Sequence, residues 1–134
     1  MHDGVVLADT SVWIQPPHEG FARYAREVAV SVITVAELQH GLFTAPTPIE
    51  ELNRRRRLQL LLDHYEVINL DIATTEVYGV LARMVTQQAG RKVRSRAMDL
   101  LIAATAARHG MPLLTRNAAD LTGTEQAVIV VPVT

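Results

Sequence analysis

Short, largely apolar runs recur along the chain, separated for the most part by longer segments with helical periodicity. The runs predict five strands, at residues 5–8, 28–30, 67–70, 112–115 and 127–131. Wholly apolar strands are typical of parallel sheets that are covered on both faces. The alternation therefore predicts an α/β fold, a sandwich around a mostly parallel sheet. At 134 residues the chain is expected to form one domain, spanning residues 1–134.

The helices predicted between these strands have recognisable ends. Ser31 is expected to cap a helix at residues 32–43, and Thr47 to cap one at residues 48–64. Two more helices are predicted, one at residues 72–89 and one that Ser95 can cap and that runs to His109. A short helix is also predicted at residues 21–27.

Composition restricts the chemistry that is available. The chain has no cysteine, which excludes disulfides, thiolate metal sites and cysteine nucleophiles. A metal would need oxygen or imidazole ligands, which favours hard ions such as Mg²⁺ or Mn²⁺. The formal net charge of −1 gives the whole molecule no general attraction for nucleic acid. No signal-peptide or membrane-spanning pattern occurs, so the cytoplasm is the expected location.

Polar side chains cluster after two of the predicted strands. Asp9, Thr10 and Ser11 follow the first strand, and Thr115, Arg116 and Asn117 lie at the end of the fourth. Ligands of open parallel sheets bind beyond the carboxyl ends of the strands. We therefore expect the chemistry of this chain at that edge.

Two acidic residues also interrupt helices that are otherwise apolar. Glu37 lies in the helix at residues 32–43, and Asp99 has apolar neighbours on both sides. A helix that is apolar all round is a buried helix, and a carboxylate there needs a cation or strong donors. Carboxylates brought together stay ionised only beside a cation. The candidate site is therefore Asp9, Glu37 and Asp99, with Asn117 or Asp120 as a fourth member.

Each acidic residue also has a purely structural interpretation. Asp9 could be a turn or cap residue, Glu37 a solvent-facing helix residue, and Asp99 a partner of the helix dipole. Asn117 and Asp120 suit any loop. From the residues one at a time, the structural and the metal-binding interpretations remain about equally supported.

Four segments together resemble the PIN-domain family. LADTSVWI is similar to the opening strand and acid of these domains, and SVITVAELQHG to the helix that bears the Glu. DLLIAATAARHG resembles the third motif, and LLTRNAAD followed by VIVV resembles the fourth. The order and spacing hold along essentially the whole chain, and the second and third motifs resemble those of VapC-type bacterial toxins.

The resemblance implies a fold, an activity and partners. The fold would be a three-layer α/β/α sandwich with a central sheet of about five strands. The activity would be endonucleolytic cleavage of RNA, usually tRNA or ribosomal RNA, with Mg²⁺ or Mn²⁺ held by Asp9, Glu37 and Asp99. A cognate VapB-type antitoxin and a homodimer would be expected. Many members have an acid where this chain has Asn117, so Asp120, one helical turn further on, is the candidate to replace it.

Further roles are expected for hydroxyl and basic side chains near the site. Thr115 and Thr10 or Ser11 would orient the carboxylates. Contacts to RNA phosphates are expected from a basic set whose alternative interpretation is a solvated loop: Arg91, Lys92, Arg94, Arg96 and Arg116. The run at residues 54–57 is expected to be a solvated helix face or an antitoxin contact, and the histidines at positions 18, 40, 64 and 109 surface or cap residues. Trp13 and Phe43 suit either an interface or the core.

Two other functions compete with the nuclease. A PIN-like module could bind nucleic acid or protein without cleaving it, which Asn117 favours. A phosphoryl-transfer or receiver-like domain would also place an acid at a strand end. That alternative is weaker, because the chain has no glycine-rich phosphate loop and no suitably placed lysine.

Overall fold

A five-stranded, all-parallel sheet forms the centre of the protein. The computed structural model describes residues 2–89 and 96–134. The strands lie in the order β3-β2-β1-β4-β5, and every pair is parallel. Their bounds are β1 His2–Ala8, β2 Ala25–Ser31, β3 Val67–Ile68, β4 Leu113–Thr115 and β5 Val130–Pro132. The predicted α/β class and the predicted number of strands are confirmed.

Five α-helices and a short 3-10 helix connect these strands within the described part of the chain. They are α1 Thr10–Ile14, α2 Val32–Phe43, α3 Pro48–His64, α4 Ile72–Ala89, α5 Ala97–Arg108 and the 3-10 helix Ala118–Leu121. The predicted bounds of α2, α3 and α4 are confirmed. The predicted cap Ser95 lies outside the described residues.

Side-chain caps explain why three of these helices begin where they do. The Ser31 hydroxyl accepts a hydrogen bond from the Ile33 N–H, and the Thr47 hydroxyl accepts one from the Glu50 N–H. The carboxylate of Asp71 accepts from the Thr74 N–H at the start of α4. Each cap satisfies an amide that has no partner within the helix.

The helix predicted at residues 21–27 is wrong. Ala25 already belongs to β2, and the preceding residues form turns, with the Tyr24 N–H donating to the Phe21 carbonyl at 2.8 Å. Parallel pairing with β1 over the length of β2 outweighs the weak helical spacing of this segment. The third strand is shorter than predicted, and β5 begins at Val130 rather than at residue 127 because Val130 is the partner of Leu113.

The sheet is covered on both faces. On one face Leu7 packs in a cluster with the buried residues of α4 and α5, among them Leu81 and Leu100. On the other face Val6 and Ala8 pack with Val12 of α1. Successive residues of β1 thus point into opposite layers, as the period of a strand requires. This arrangement makes the three-layer sandwich.

The strand order fixes where a ligand site can form. From β1 the chain moves outward through β2 to β3, and then returns to the other side of β1 to form β4 and β5. The direction of winding reverses between β1 and β4, and such a switch point leaves a crevice at the carboxyl ends of the strands. In the described part of the chain, no helix combines the length and apolarity needed to cross a membrane.

Candidate active site at the carboxyl edge of the sheet

Asp9 lies at the switch point, directly after the central strand. Its backbone N–H donates to the Leu114 carbonyl of β4 at 3.0 Å, which fixes the residue between the two strands. Its carboxylate caps α1 by accepting from the Val12 N–H at 3.3 Å. The residue is about 9% exposed, so one predicted site acid is held rigidly at the base of the crevice.

Ser11 connects Asp9 to the end of β4. The Ser11 hydroxyl donates to Asp9 Oδ1 at 2.5 Å and accepts from the Arg116 N–H at 3.1 Å. Ser11 and Arg116 are 105 positions apart in the chain, so this hydroxyl joins the two sides of the switch point. Ser11 was a candidate for orienting a carboxylate, and its hydroxyl contacts Asp9 directly.

Glu37 reaches the same edge from α2. The Thr10 hydroxyl donates to Glu37 Oε1 at 2.6 Å. The Thr10 oxygen also lies 3.0 Å from the hydroxyl oxygen of Thr34, which is fully buried. Sequence reasoning missed Thr34. The available signal was its position three residues before Glu37, a spacing that puts both side chains on one face of a helix.

Asp99 lies in the first turn of α5 and is more accessible than the sequence suggested. The helix is not buried all round, because Met98 and Asp99 are exposed whereas Leu100 and residues 102–106 are buried. Desolvation nevertheless raises the pKa of Asp99, and the carboxylates of Glu37, Asp9 and Asp120 raise it further. Asp99 therefore lies within electrostatic reach of the other three acids.

Asp120, the fourth acid, forms an ion pair with Arg96. Arg96 Nη1 lies 2.8 Å from Asp120 Oδ1, and both side chains are partly exposed. Asp120 contributes to the raised pKa of Asp99, whereas Asn117 is an exposed residue at the start of the 3-10 helix. Of the two candidates for the fourth position, Asp120 is therefore the one that acts electrostatically on Asp99.

The basic residues predicted to contact RNA fall into two groups. Arg96 is paired with Asp120, and the guanidinium of Arg116 donates to the carbonyls of Gln15 at 2.7 Å and Pro16 at 3.2 Å. Arg116 thus fixes the loop after α1. The remaining three predicted contacts lie outside the described residues: Arg91, Lys92 and Arg94.

Thr115 and the histidines have simpler roles. The Thr115 hydroxyl accepts from the Asn117 N–H at 3.0 Å, which stabilises the turn that leaves β4. This contact differs from the expected orientation of a carboxylate. The histidines at positions 18, 40, 64 and 109 are exposed, as predicted.

An open cavity of about 400 Å³ adjoins Glu37 between α1, α2 and α3. Trp13 lies on its wall and packs against Phe21 and Tyr65, so this aromatic side chain belongs to the core. Phe43 is 82% exposed. The run at residues 54–57 is divided, since Arg54 donates to the Gly41 carbonyl at 2.7 Å while the other three arginines are exposed.

The donor chemistry of the four carboxylates fits a hard divalent cation. Within residues 2–89 and 96–134, no three or more acidic or histidine side chains stand as a group that could hold a metal ion. Mg²⁺, however, commonly keeps several waters and uses one or two carboxylates together with substrate phosphates. A cation bound beside Asp99 would relieve the carboxylate repulsion that, together with desolvation, raises the pKa of this residue.

The raised pKa of Asp99 predicts a specific pH dependence of stability in metal-free buffer. The folded protein holds the Asp99 proton more tightly than the unfolded chain, whose reference pKa is 3.8. The resulting contribution to stability is present at low pH and is lost as the pH rises through the raised value. Urea unfolding of the parent and of Asp99→Asn across this range should show the difference falling with pH and then levelling. A difference that is constant with pH would contradict the raised pKa.

The chain is similar to known proteins both in sequence and in fold. The sequence profile described as PIN domain matches residues 6–120. Ribonuclease VapC4 of Mycobacterium tuberculosis is 36% identical over 116 residues, which cover 83% of this chain and 85% of that protein. Among solved structures, VapBC-5 from Mycobacterium tuberculosis, a member of the VapBC family of toxin–antitoxin systems, matches with a TM-score of 0.78 at 31% identity. That match covers 96% of this chain and 97% of the other. FitAcB from Neisseria gonorrhoeae matches with a TM-score of 0.74 at 26% identity, covering 93% and 95%.

Proposed function

The chain belongs to the PIN-domain family, and from that membership we propose that it is a Mg²⁺-dependent endoribonuclease, the toxin component of a VapBC-type toxin–antitoxin pair. One observation carries the proposal. At the carboxyl edge of the sheet, desolvation raises the pKa of Asp99, and three carboxylates from distant parts of the chain, those of Glu37, Asp9 and Asp120, each raise it further. A ribonuclease and a toxin–antitoxin structure at more than 30% identity support the same function.

The roles of the side chains follow from their contacts. Asp9 and Asp99 would hold the cation, which could also be Mn²⁺, and Glu37 would orient the attacking water and accept its proton. The Ser11 hydroxyl keeps Asp9 Oδ1 in place, and the Thr10 hydroxyl does the same for Glu37 Oε1. A bound divalent cation lowers the pKa of its water and neutralises charge on the phosphate in transfer. In-line attack by a water that Glu37 orients and deprotonates would break the bond between phosphorus and the 3′ oxygen, and the 3′ oxygen would take up a proton from solvent. The products would be a 5′-phosphate and a 3′-hydroxyl.

RNA binding is assigned to the basic side chains around the crevice. Arg96 lies beside the acids through its ion pair with Asp120, so a phosphate that displaced this carboxylate would be bound next to Asp99. Arg116 remains a candidate with its guanidinium turned toward the loop after α1. Arg91, Lys92 and Arg94 complete the proposed set, and tRNA or ribosomal RNA is the proposed substrate class.

The proposed partners are a cognate VapB-type antitoxin and a second copy of this chain. The matched structure of VapBC-5 from Mycobacterium tuberculosis, at 31% identity, is a member of the VapBC family of toxin–antitoxin systems and supports such an antitoxin. Such a partner would inhibit cleavage by occupying or distorting the crevice. Growth arrest on induced expression of this chain, relieved by the product of a small neighbouring gene, would support the pairing.

Cleavage of RNA by the purified chain tests the proposed activity. Incubation with total RNA and Mg²⁺ should give discrete fragments with 5′-phosphate ends, and EDTA should abolish them. Excess Mg²⁺ added after EDTA should restore cleavage, which controls for damage by the chelator. Sequencing of the 5′ ends would identify the target RNA.

A binding module without catalysis is the alternative that Asn117 favours. It would give no fragments under any metal condition while still retaining RNA or a protein partner. Mg²⁺ would then leave the melting temperature unchanged. Fragments that persist at full yield in EDTA would contradict the metal-dependent mechanism.

A further inference from the structure

A hydroxyl group buried behind Glu37 has no role in the mechanism described so far. Thr34 is fully buried in the first turn of α2, and its Oγ1 lies 3.0 Å from Thr10 Oγ1. Other helical threonines of this chain behave differently. The hydroxyls of Thr86 and Thr105 each donate to the carbonyl four residues earlier, at 2.8 Å. Thr34 instead contacts a different element of the fold.

The direction of the Thr10–Thr34 hydrogen bond follows from counting protons. Thr10 has one hydroxyl proton, and that proton is donated to Glu37 Oε1 at 2.6 Å. Thr10 therefore acts as the acceptor in its contact with Thr34. The proton between the two threonines must come from Thr34. The result is a directed chain in which Thr34 donates to Thr10, and Thr10 donates to the Glu37 carboxylate.

We propose that Thr34 is a positioning residue for Glu37, acting through Thr10; the catalytic meaning of this role rests on the proposed function. Both threonines are β-branched, which restricts rotation about their first side-chain bond. The buried Thr34 hydroxyl holds the Thr10 oxygen so that its proton faces Glu37 Oε1. Consecutive hydrogen bonds that point the same way also polarise and strengthen one another. Glu37 is thereby held in one orientation, with Oε2 left for the reaction.

Three variants separate positioning from simple packing. Thr34→Val keeps the shape of the side chain and removes the donor. We expect it to lower kcat for RNA cleavage by about 10–100-fold, the usual cost of losing a group that orients a ligand or base, with KM unchanged. Thr34→Ser restores the hydroxyl and should recover most of that loss. Thr105→Val is the matched control, a buried helical threonine whose hydroxyl bonds only locally. A Thr34→Val protein that cleaves as fast as the Thr105→Val control would overturn the proposal.

Combining Thr34→Val with Glu37→Gln tests whether Thr34 affects the cleavage rate through Glu37. In Glu37→Gln protein, the added Thr34→Val substitution should reduce the residual rate no further, because the group it positions has lost its function. Rate losses that multiply in the double variant would instead show that Thr34 acts independently of Glu37, and would also contradict the inference.

Thermal unfolding provides a measurement that needs no catalysis. Thr10→Val and Thr34→Val remove the two ends of one hydrogen bond, so the double variant should melt close to the less stable single variant. Additive losses would overturn the directed chain. If the parent does not cleave RNA, the proposed function fails and the catalytic role of Thr34 fails with it. If the parent cleaves and Thr34→Val cleaves equally well, only the positioning role fails.

Discussion

Replacement of Asp99 by asparagine is expected to abolish RNA cleavage while leaving the protein folded. The substitution keeps the size of the side chain and removes a charge whose pKa is raised by desolvation and by Glu37, Asp9 and Asp120. Groups that merely orient a metal ligand already contribute about 10–100-fold to activity, so loss of a proposed ligand should cost more than about 100-fold. In metal-free buffer the repulsion disappears with the charge, and the melting temperature should stay level or rise.

The control for this variant is Asp63→Asn, which removes an exposed carboxylate of α3 that accepts a hydrogen bond from the side-chain amide of Gln59. It should cleave RNA like the parent. Mg²⁺ should raise the melting temperature of the parent and of Asp63→Asn but not that of Asp99→Asn, because only a folded state that binds the ion is stabilised by it. Asp99→Asn protein that cleaves as well as the parent would exclude this aspartate from the site.

Leu100→Ala is expected to cause a large loss of stability next to the site. Leu100 follows Asp99 directly, is fully buried, and packs in the same cluster as Leu7 and Leu81 between α5 and the sheet. Truncation of a buried leucine removes its transfer free energy and leaves a cavity, together about 2–5 kcal/mol. This is a large part of the total stability of a small domain, about 5–15 kcal/mol.

Met98→Ala is the matched control, since Met98 precedes Asp99 and is 49% exposed. Urea unfolding should show a much smaller change in the free energy of unfolding for Met98→Ala than for Leu100→Ala. Equal losses would mean that α5 does not pack on the sheet through the face described above. Because Asp99 lies between the two positions, the pair also tests how firmly the buried face holds this carboxylate in place.

The helices were predictable because their ends depend on local chemistry. Ser31 and Thr47 are cap residues whose hydroxyl oxygens accept from backbone amides two and three positions ahead, so the sequence alone contains both partners. The segment at residues 21–27 was mispredicted for the opposite reason. Its strand conformation comes from pairing with β1, and nothing within the segment itself specifies that partner.

The acids of the candidate site could be proposed from the sequence, whereas their contacts could not. Asp9, Glu37 and Asp99 are unusual where they occur, an acid at a strand end or within an apolar helix, and so could be singled out. Thr34 was missed although its spacing from Glu37 places both side chains on one face of α2, because a buried threonine in a helix usually satisfies its hydroxyl on its own backbone. The pairing of Arg96 with Asp120 depends on how the start of α5 and the 3-10 helix approach each other, which no local pattern encodes.

The position of β1 at the centre of the sheet has a consequence for protein synthesis. β1 gains its second neighbour only when Leu113 of β4 has been synthesised and can pair with Leu7. The backbone of Asp9 is likewise fixed by the carbonyl of Leu114. At about 5–20 residues per second, a ribosome takes on the order of ten seconds to translate the stretch between them. A nascent chain released before β4 lacks the strand that forms one side of the crevice. Prematurely terminated translation products of this gene are therefore expected to be inactive.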